Sequence, residues 1–422
     1  MNVHDSEKML GILSENGYRT AEKPEEADLI IFNTCAIREK AEQKFFSQLG
    51  RTKLLKKKRQ DLKIAVAGCV AQDAKDNIIK KAPFVDFVLG PQNIHLISDL
   101  VSEKNTRTSF EENPDIAYKE YITKRDSSIK AWVSIMYGCN NFCSYCIVPY
   151  TRGREISRPS NRILSEIRQL HENGYKEVTL LGQNVNSYMS DIDFTGLLRK
   201  IDLININRVR FVTSHPRDLS DDLIRAISEL KSVCEHLHLP IQSGSDRILD
   251  LMNRGYSYSE YIEKINMLRE LMPGIAITSD IITGFPGETD EDYMLTVKAL
   301  EEIEFDGIFA FKFSPRKGTK AFGMSKHLPD NVKTERLNHI LKIQEDITYK
   351  KNKMIERTIQ EILVEGHSET DKNMLVGRTR TNKIVTIPDL QENVGSFVKA
   401  KIQTARRHSL YGINIHSGRI LN

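Results

Sequence analysis

Three cysteines stand in one short run, Gly138-Cys139-Asn140-Asn141-Phe142-Cys143-Ser144-Tyr145-Cys146, with three residues and then two between them. Three thiolates at this spacing can hold three irons of a cubane iron–sulfur cluster and leave the fourth iron without a protein ligand. An iron with an open position is a place for chemistry. A structural zinc site would need four ligands, and here no fourth cysteine or pair of closely spaced histidines follows, the next histidine being His171. A disulfide pair would imply an oxidising compartment, whereas six cysteines in 422 residues, with no visible apolar signal segment, indicate a reducing one. The chain is expected in the cytoplasm.

The elements that must position this loop are read from length and pattern. At 422 residues the chain exceeds one ordinary core, and two or three domains are expected. An apolar fraction of 40% and a charged fraction of 28% are those of a soluble globular protein. No stretch approaches the ~18 uninterrupted apolar residues of a membrane helix. The net charge of +4 is unevenly placed: from Arg357 to Asn422 ten Lys/Arg face six Asp/Glu, so the tail carries the whole excess. That asymmetry fits a module that touches nucleic-acid phosphates, although an excess of this size is also common on ordinary surfaces.

Residues 1–102 alternate helical and strand signals. An amphipathic segment from Ser6 to Asn16 precedes an apolar run ending Phe32-Asn33-Thr34-Cys35, and a helical segment from Glu39 precedes Lys63-Ile64-Ala65-Val66-Ala67-Gly68-Cys69. Strand, helix, strand in this order predicts a doubly wound sheet whose ligands gather outside the strand carboxyl ends. Cys35 and Cys69 fall at two such ends. They are either two unrelated buried thiols or, as their equivalent positions favour, ligands of one group. The polar stretch 103–128 reads as a linker. From 129 to 356 six strand–helix units predict a partial (β/α)6 barrel, with the cysteine loop after its first strand and the reactive face at its carboxyl end. Five short strands in 357–422, with no room for helices, predict a small all-β barrel resembling an OB fold, a platform for single-stranded nucleic acid. The whole is an α/β chain.

Several independent stretches in order, Asp28 to Glu39, Gly138 to Arg154, Gly182 to Tyr188, His236 to Asp246, Thr283 to Thr289 and Leu375 to Lys383, resemble the methylthiotransferase branch of the radical S-adenosylmethionine (SAM) enzymes. The resemblance covers nearly the whole chain, and it implies a small carboxy-terminal barrel of the TRAM type. It also implies the activity, insertion of a methylthio group at C2 of N(6)-isopentenyladenosine beside the tRNA anticodon. Within the family the alternatives are threonylcarbamoyladenosine in tRNA and an aspartate of a ribosomal protein. Outside it the alternative is a non-catalytic RNA-binding iron–sulfur protein. Two 4Fe-4S clusters are implied, one on Cys139, Cys143 and Cys146 and an auxiliary one that takes Cys35, Cys69 and a further cysteine before a stretch matching Met1 to Glu7. That cysteine is expected upstream of residue 1; without it a stable auxiliary cluster is not expected.

SAM is the implied cofactor, used twice, as methyl donor and as radical source. Radical chemistry suits a ring carbon that has no readily lost proton. Tyr145 falls where the family places an aromatic near the adenine. Gly182, Gln183 and Asn184, directly after the second barrel strand, are read as cofactor contacts, the alternative being a plain turn with a capping Asn. Gln242, Ser243 and Arg254 are further candidates, Arg254 being either a partner of the SAM carboxylate or a solvated surface residue. Thr283 to Glu288 either packs on the adenine or is merely a turn. His236 and His238 are given no chemistry, and one of them is expected to point inward with its hydrogen bonds satisfied. Arg378, Arg380, Lys383, Arg406 and Arg407 are candidate phosphate grips, and Lys53 to Arg59 is either a second basic patch or a solvated face. The implied partners are a tRNA anticodon loop, a flavodoxin- or ferredoxin-like electron donor and a sulfur donor, with no membrane.

Overall fold

The computed structural model describes residues 1–34, 39–102, 108–389 and 394–415. The amino-terminal unit is a parallel sheet in the order β1 (Leu29–Thr34), β2 (Lys63–Gly68), β3 (Phe87–Leu89) and β4 (Thr108–Ser109). Continuous apolar strands need cover on both faces. In β2 that cover divides residue by residue: Ile64 and Val66 join Phe45, Leu49 and Val70, while Ala65 and Ala67 join Met9, Ile12 and Ile97. Helix Asn2–Glu15 lies on one face and helix Glu39–Lys58 on the other, so the sheet is doubly wound.

The stretch expected as a linker is packed where it is described. It supplies the edge strand β4, and the Lys124 N–H donates to the Glu7 carbonyl at 3.0 Å. A two-residue edge strand has no hydrophobic period, so composition alone showed only polarity.

The central unit opens with β5 (Lys130–Ser134), followed by a short antiparallel pair, β6 (Met136–Tyr137) and β7 (Ile156–Ser157), which brackets the cysteine loop. Five more parallel strands complete the arc: β8 (Glu177–Leu181), β9 (Arg208–Phe211), β10 (His236–His238), β11 (Ala276–Thr283) and β12 (Gly307–Lys312). Strands β5-β8-β9 and β10-β11-β12 are hydrogen-bonded sheets joined by the parallel bridge Val209–Val233. Helices cover the outside, among them Tyr258–Leu271 and Asp290–Ile303, each begun by a capping box at Ser257 or Thr289. Helix Asp246–Leu251, six residues long, is too short for its periodicity to stand out from the sequence.

Strands β13 (Ile359–His367), β14 (Met374–Thr379), β15 (Ile384–Pro388), β16 (Phe397–Ala405) and β17 (Leu410–Asn414) close a small barrel around Ile362, Leu375, Val385, Val398 and Ile402. It seats against the amino-terminal ends of the central strands. Arg208, the first residue of β9 and fully buried, donates to the Arg378 carbonyl at 2.8 Å and pairs with Glu361. Arg210 donates to the carbonyls of Thr379 and Arg380, each at 2.8 Å, while Lys130 pairs with Glu365.

Two of the expected phosphate grips are spent in this contact. Arg380 pairs with Glu235 at 2.8 Å and donates to the Val233 carbonyl, and Lys383 pairs with Asp306 at 3.0 Å and donates to Asn352. Arg378 is half-buried against Asn382 and Glu365. Arg406 and Arg407 remain exposed, Arg407 in a surface pair with Glu345. In the run from Lys53 to Arg59, Lys56 is tied to Asp86 and Arg59 to Asp28 and Asp61, leaving Lys53, Lys57 and Lys58 exposed. Among the described residues no helix is long and apolar enough to cross a membrane.

Candidate active site

The cysteine loop leaves β6 at Gly138 and returns through Gly153 and Arg154 to β7. Gly138 has φ +71°, and a Cβ there would lie 1.9 Å from the Arg154 carbonyl oxygen, so glycine is what lets the two arms meet. The Cys139 N–H donates to the Gly153 carbonyl at 3.2 Å and the Cys146 N–H to that of Cys143 at 2.9 Å. Ser144 pins the middle of the loop: its N–H donates to the Met252 carbonyl at 2.9 Å, its hydroxyl to that of Leu251 at 2.7 Å, and its own carbonyl accepts from the Ala321 N–H at 2.7 Å. Beneath lies a small core of Ile248, Met252, Phe285, Phe313 and Ala321, with Tyr145 packed against it. The Gly284-Phe285-Pro286-Gly287 turn is therefore part of the floor. Its Phe285 is fully buried, and its Gly284 N–H is held by Glu288 at 2.7 Å.

Cys139 and Cys143 are buried and Cys146 half-buried. Burial pushes the Cys139 thiol up to about 11 and the Cys146 thiol up to about 12, and the neighbouring Cys143 raises both further. Thiols held protonated in this way must release their protons to solvent or a base when they bind a metal as thiolates. Among the described residues no three Cys, His, Asp or Glu side chains converge on a single ion. A cubane does not ask for convergence, because each thiolate takes a different iron.

Arg254 is buried under this loop. Its Nη1 donates to Cys143 Sγ and to the Tyr145 hydroxyl, each at 3.4 Å, its Nη2 to the Pro240 carbonyl at 2.9 Å and its Nε to the Tyr256 hydroxyl at 3.2 Å. It is neither a solvated residue nor turned into open space. Hydrogen bonds to ligand sulfurs orient them and tune the metal they hold.

Around the mouth, buried polar atoms lack a partner among the described residues: Ser134 Oγ, Gln183 Oε1, Asn184 Oδ1, Ser214 Oγ, His215 Nε2 and Gln242 Oε1. They sit at or just beyond the carboxyl ends of β5, β8, β9 and β10. Each such group left unpaired in the folded chain costs about 1–3 kcal/mol, so a rim of them fits a polar ligand rich in donors and acceptors, as SAM is. Gln242 also has φ +71°, a strained conformation for a non-glycine residue, and is held there by a parallel bridge to Ile281. Asn184 is oriented by Asp218, to which its Nδ2 donates at 2.6 Å. Glu155 accepts from the Ser187 hydroxyl at 2.9 Å, and burial raises its carboxyl pKa.

Ser243 departs from expectation. It is fully buried, its hydroxyl pairs with Thr296 at 3.2 Å and accepts from the Ser245 N–H, and it serves the turn into helix Asp246–Leu251. Gly182 meets the Met136 side chain, where a Cβ would lie 2.5 Å from Cγ. His236 is only partly satisfied, since its Nδ1 has no partner among the described residues, and burial pushes it down to about 3. Ser134, Ser214 and His215 belong to no motif; only their place after barrel strands could have singled them out.

The amino-terminal unit meets the loop through Arg152, which lies six residues beyond Cys146. Its Nε donates to Cys69 Sγ at 3.3 Å, and its Nη2 donates to Asp5 at 2.8 Å in a buried ion pair. Ile147 packs into the same core as Cys69. Cys69 thus stands beside the cysteine loop. In β1 and β2 the register pairs Thr34 with Gly68, the residue before Cys69, while Cys35 lies outside the described residues.

Residues 133–300 match the Radical SAM superfamily, residues 1–90 the Uncharacterized protein family UPF0004 and residues 354–414 the TRAM domain. The chain is similar to the tRNA-2-methylthio-N(6)-dimethylallyladenosine synthase of Thermodesulfovibrio yellowstonii, at 54% identity over 416 residues covering 98% of this chain and 96% of the relative. The protein of the same name from Caldicellulosiruptor saccharolyticus is 49% identical over 423 residues, covering 98% of this chain and 90% of the relative. Among solved structures, the radical S-adenosylmethionine methyltransferase TsrM from Kitasatospora setae, with cobalamin and a 4Fe-4S cluster bound, aligns with a TM-score of 0.55 over 74% of this chain and 68% of that chain. Its 14% identity makes this a likeness of fold.

Proposed function

Because the chain belongs to the family of tRNA-2-methylthio-N(6)-dimethylallyladenosine synthases, we propose that it replaces the C2 hydrogen of N(6)-isopentenyladenosine, beside a tRNA anticodon, with a methylthio group. The observation that supports this reading is the contact of Arg152, six residues beyond Cys146, with Cys69: its Nε donates to Cys69 Sγ at 3.3 Å, so a thiol of the amino-terminal unit stands beside the loop that carries Cys139, Cys143 and Cys146. Cys139, Cys143 and Cys146 would hold a 4Fe-4S cluster, and Cys35 and Cys69 would serve an auxiliary one. When bound, the clusters and SAM supply the one-electron chemistry and the methylthio group.

The protein's own share is placement. Gln183, Asn184, Ser214, His215 and Gln242 present unpaired donors and acceptors to SAM, and Tyr145 offers a ring beside the loop. Arg254 and Ser144 hold the ligand loop in one shape, and Arg152 sets Cys69 against it. The isopentenylated adenosine must be splayed out of its loop to enter, which suits a single-stranded anticodon loop. Two SAM molecules per product, a flavodoxin- or ferredoxin-like electron donor, a sulfur donor and a cytoplasmic setting complete the reading.

The test is anaerobic incubation of the iron-loaded protein with SAM, sulfide, a reductant and isopentenylated tRNA, followed by nucleoside mass spectrometry. A nucleoside heavier by one methylthio group in place of hydrogen is expected. Unchanged nucleoside from iron-replete protein would overturn the assignment.

A further inference from the structure

Between and beyond the cluster ligands stand two aromatic rings and a cation that the mechanism above does not use. Phe142 immediately precedes Cys143, and Tyr150 lies four residues after Cys146. Their rings meet edge to face, centroids 5.7 Å apart at 87°, and the Arg154 guanidinium lies 4.4 Å from the Phe142 centroid. Tyr150 is 53% exposed, and Arg154 is exposed too.

Phe142 has φ +46°, a conformation that a bulky side chain seldom adopts. It persists because the surroundings over-determine it: Asn253 Nδ2 donates to the carbonyls of Asn141 and Phe142, each at 3.2 Å, and Arg217 holds the Asn141 side chain. The strained residue sets a half-buried ring against the Arg154 guanidinium and the edge of Tyr150, and leaves Tyr150 as the exposed flat face of the group.

Resting on the functional reading above, we infer that Phe142, Tyr150 and Arg154 form a stacking platform for a nucleobase adjacent to the target adenosine. Splaying the target out of the anticodon loop unstacks its neighbours, and an aromatic ring beside a guanidinium is the surface that takes an unstacked base without regard to its identity. The platform's place on the ligand loop itself makes it continuous with the reacting site, and within it Arg154 is the group that can meet an adjoining phosphate, since Glu111 and Glu112 line the other side of Tyr150.

The test is fluorescence anisotropy with an anticodon stem-loop RNA carrying N(6)-isopentenyladenosine, and with two further RNAs in which the base on one or the other side of the target is abasic. Stacking on one ring changes affinity roughly 5- to 150-fold, so Tyr150→Ala should weaken binding of the intact RNA by that order while Tyr150→Phe keeps it. One of the two abasic RNAs should bind the wild-type protein as weakly as intact RNA binds Tyr150→Ala, with no further loss when the two changes are combined. Equal binding by wild type and Tyr150→Ala, or additive losses with both abasic RNAs, would overturn the platform while leaving the functional reading in place. The abasic comparison on wild-type protein decides the matter even if the variant folds poorly. If wild-type protein does not prefer the isopentenylated stem-loop to an unrelated single-stranded RNA, the functional reading fails and the platform with it.

Discussion

A guanidinium buried to 4% exposure with its donors aimed at a sulfur, two phenols and a carbonyl is an unusual use of a charge, and Arg254 is placed in this way. Removing a partner of this kind from a metal ligand lowers metal affinity by roughly 10- to 100-fold. Arg254→Met is expected to give up iron to a chelator more readily by that order, followed as iron retained and as the spectrum of the reduced cluster; retention equal to wild type would show that the sulfur contact does no such work. The buried histidines make a second expectation. Burial pushes His215 down to about 2 and His236 to about 3, so the folded chain keeps both neutral while the unfolded chain protonates them below its ordinary pKa of ~6.5. The stability they contribute is complete above pH ~6.5 and is lost as the pH falls from there toward the folded values, at up to ~1.4 kcal/mol per pH unit for each. Melting temperature should therefore hold level from pH 8 to 7 and drop on further acidification, with a shallower drop in His236→Gln. An unchanged slope in that variant would remove His236 from the account.

The cysteine loop is an element whose shape depends on a backbone approach rather than on its ligands. The Arg154 carbonyl lies where any side chain on Gly138 would begin, and the positive φ there adds strain for every other residue. Gly138→Ala should leave most of the chain folded, with far-ultraviolet circular dichroism near that of wild type, yet cut iron bound at the loop severely. Full iron content in that variant would show that the loop can close by another route. The regular elements were largely legible, because six apolar strands alternating with amphipathic helices leave few arrangements other than a parallel arc. Strand β4 and helix Asp246–Leu251 were not, since two- and six-residue elements carry no readable period. Ser243 was misread because it does follow a barrel strand, as Gln242 does, but the turn directs its hydroxyl into helix Asp290–Ile303.

Over the whole molecule, the amino-terminal unit meets the carboxyl ends of the barrel strands while the small barrel seats against their amino ends. Cations in the small barrel therefore divide into two kinds. Arg406→Ala with Arg407→Ala should weaken RNA binding and lower its salt dependence by about one unit for each phosphate no longer gripped, because an exposed pair such as Arg407 with Glu345 holds little back. Arg380→Ala with Lys383→Met should instead lower the melting temperature and open the junction to proteases, and equal effects of the two double variants would refute the division. The sequence by itself determined the three-thiol loop, the succession of two sheet-based units and a small barrel, and Cys69 at a strand's carboxyl end, because ligand spacing and hydrophobic period are local along the chain. Only the tertiary structure decided that Arg152 brings Cys69 to the loop, that Arg254 serves a sulfur, that Ser214 and His215 join the rim, and that Arg380 and Lys383 face a neighbouring domain. Each of these depends on where a charge or hydroxyl points across separations of tens or hundreds of residues, and no local pattern encodes that direction.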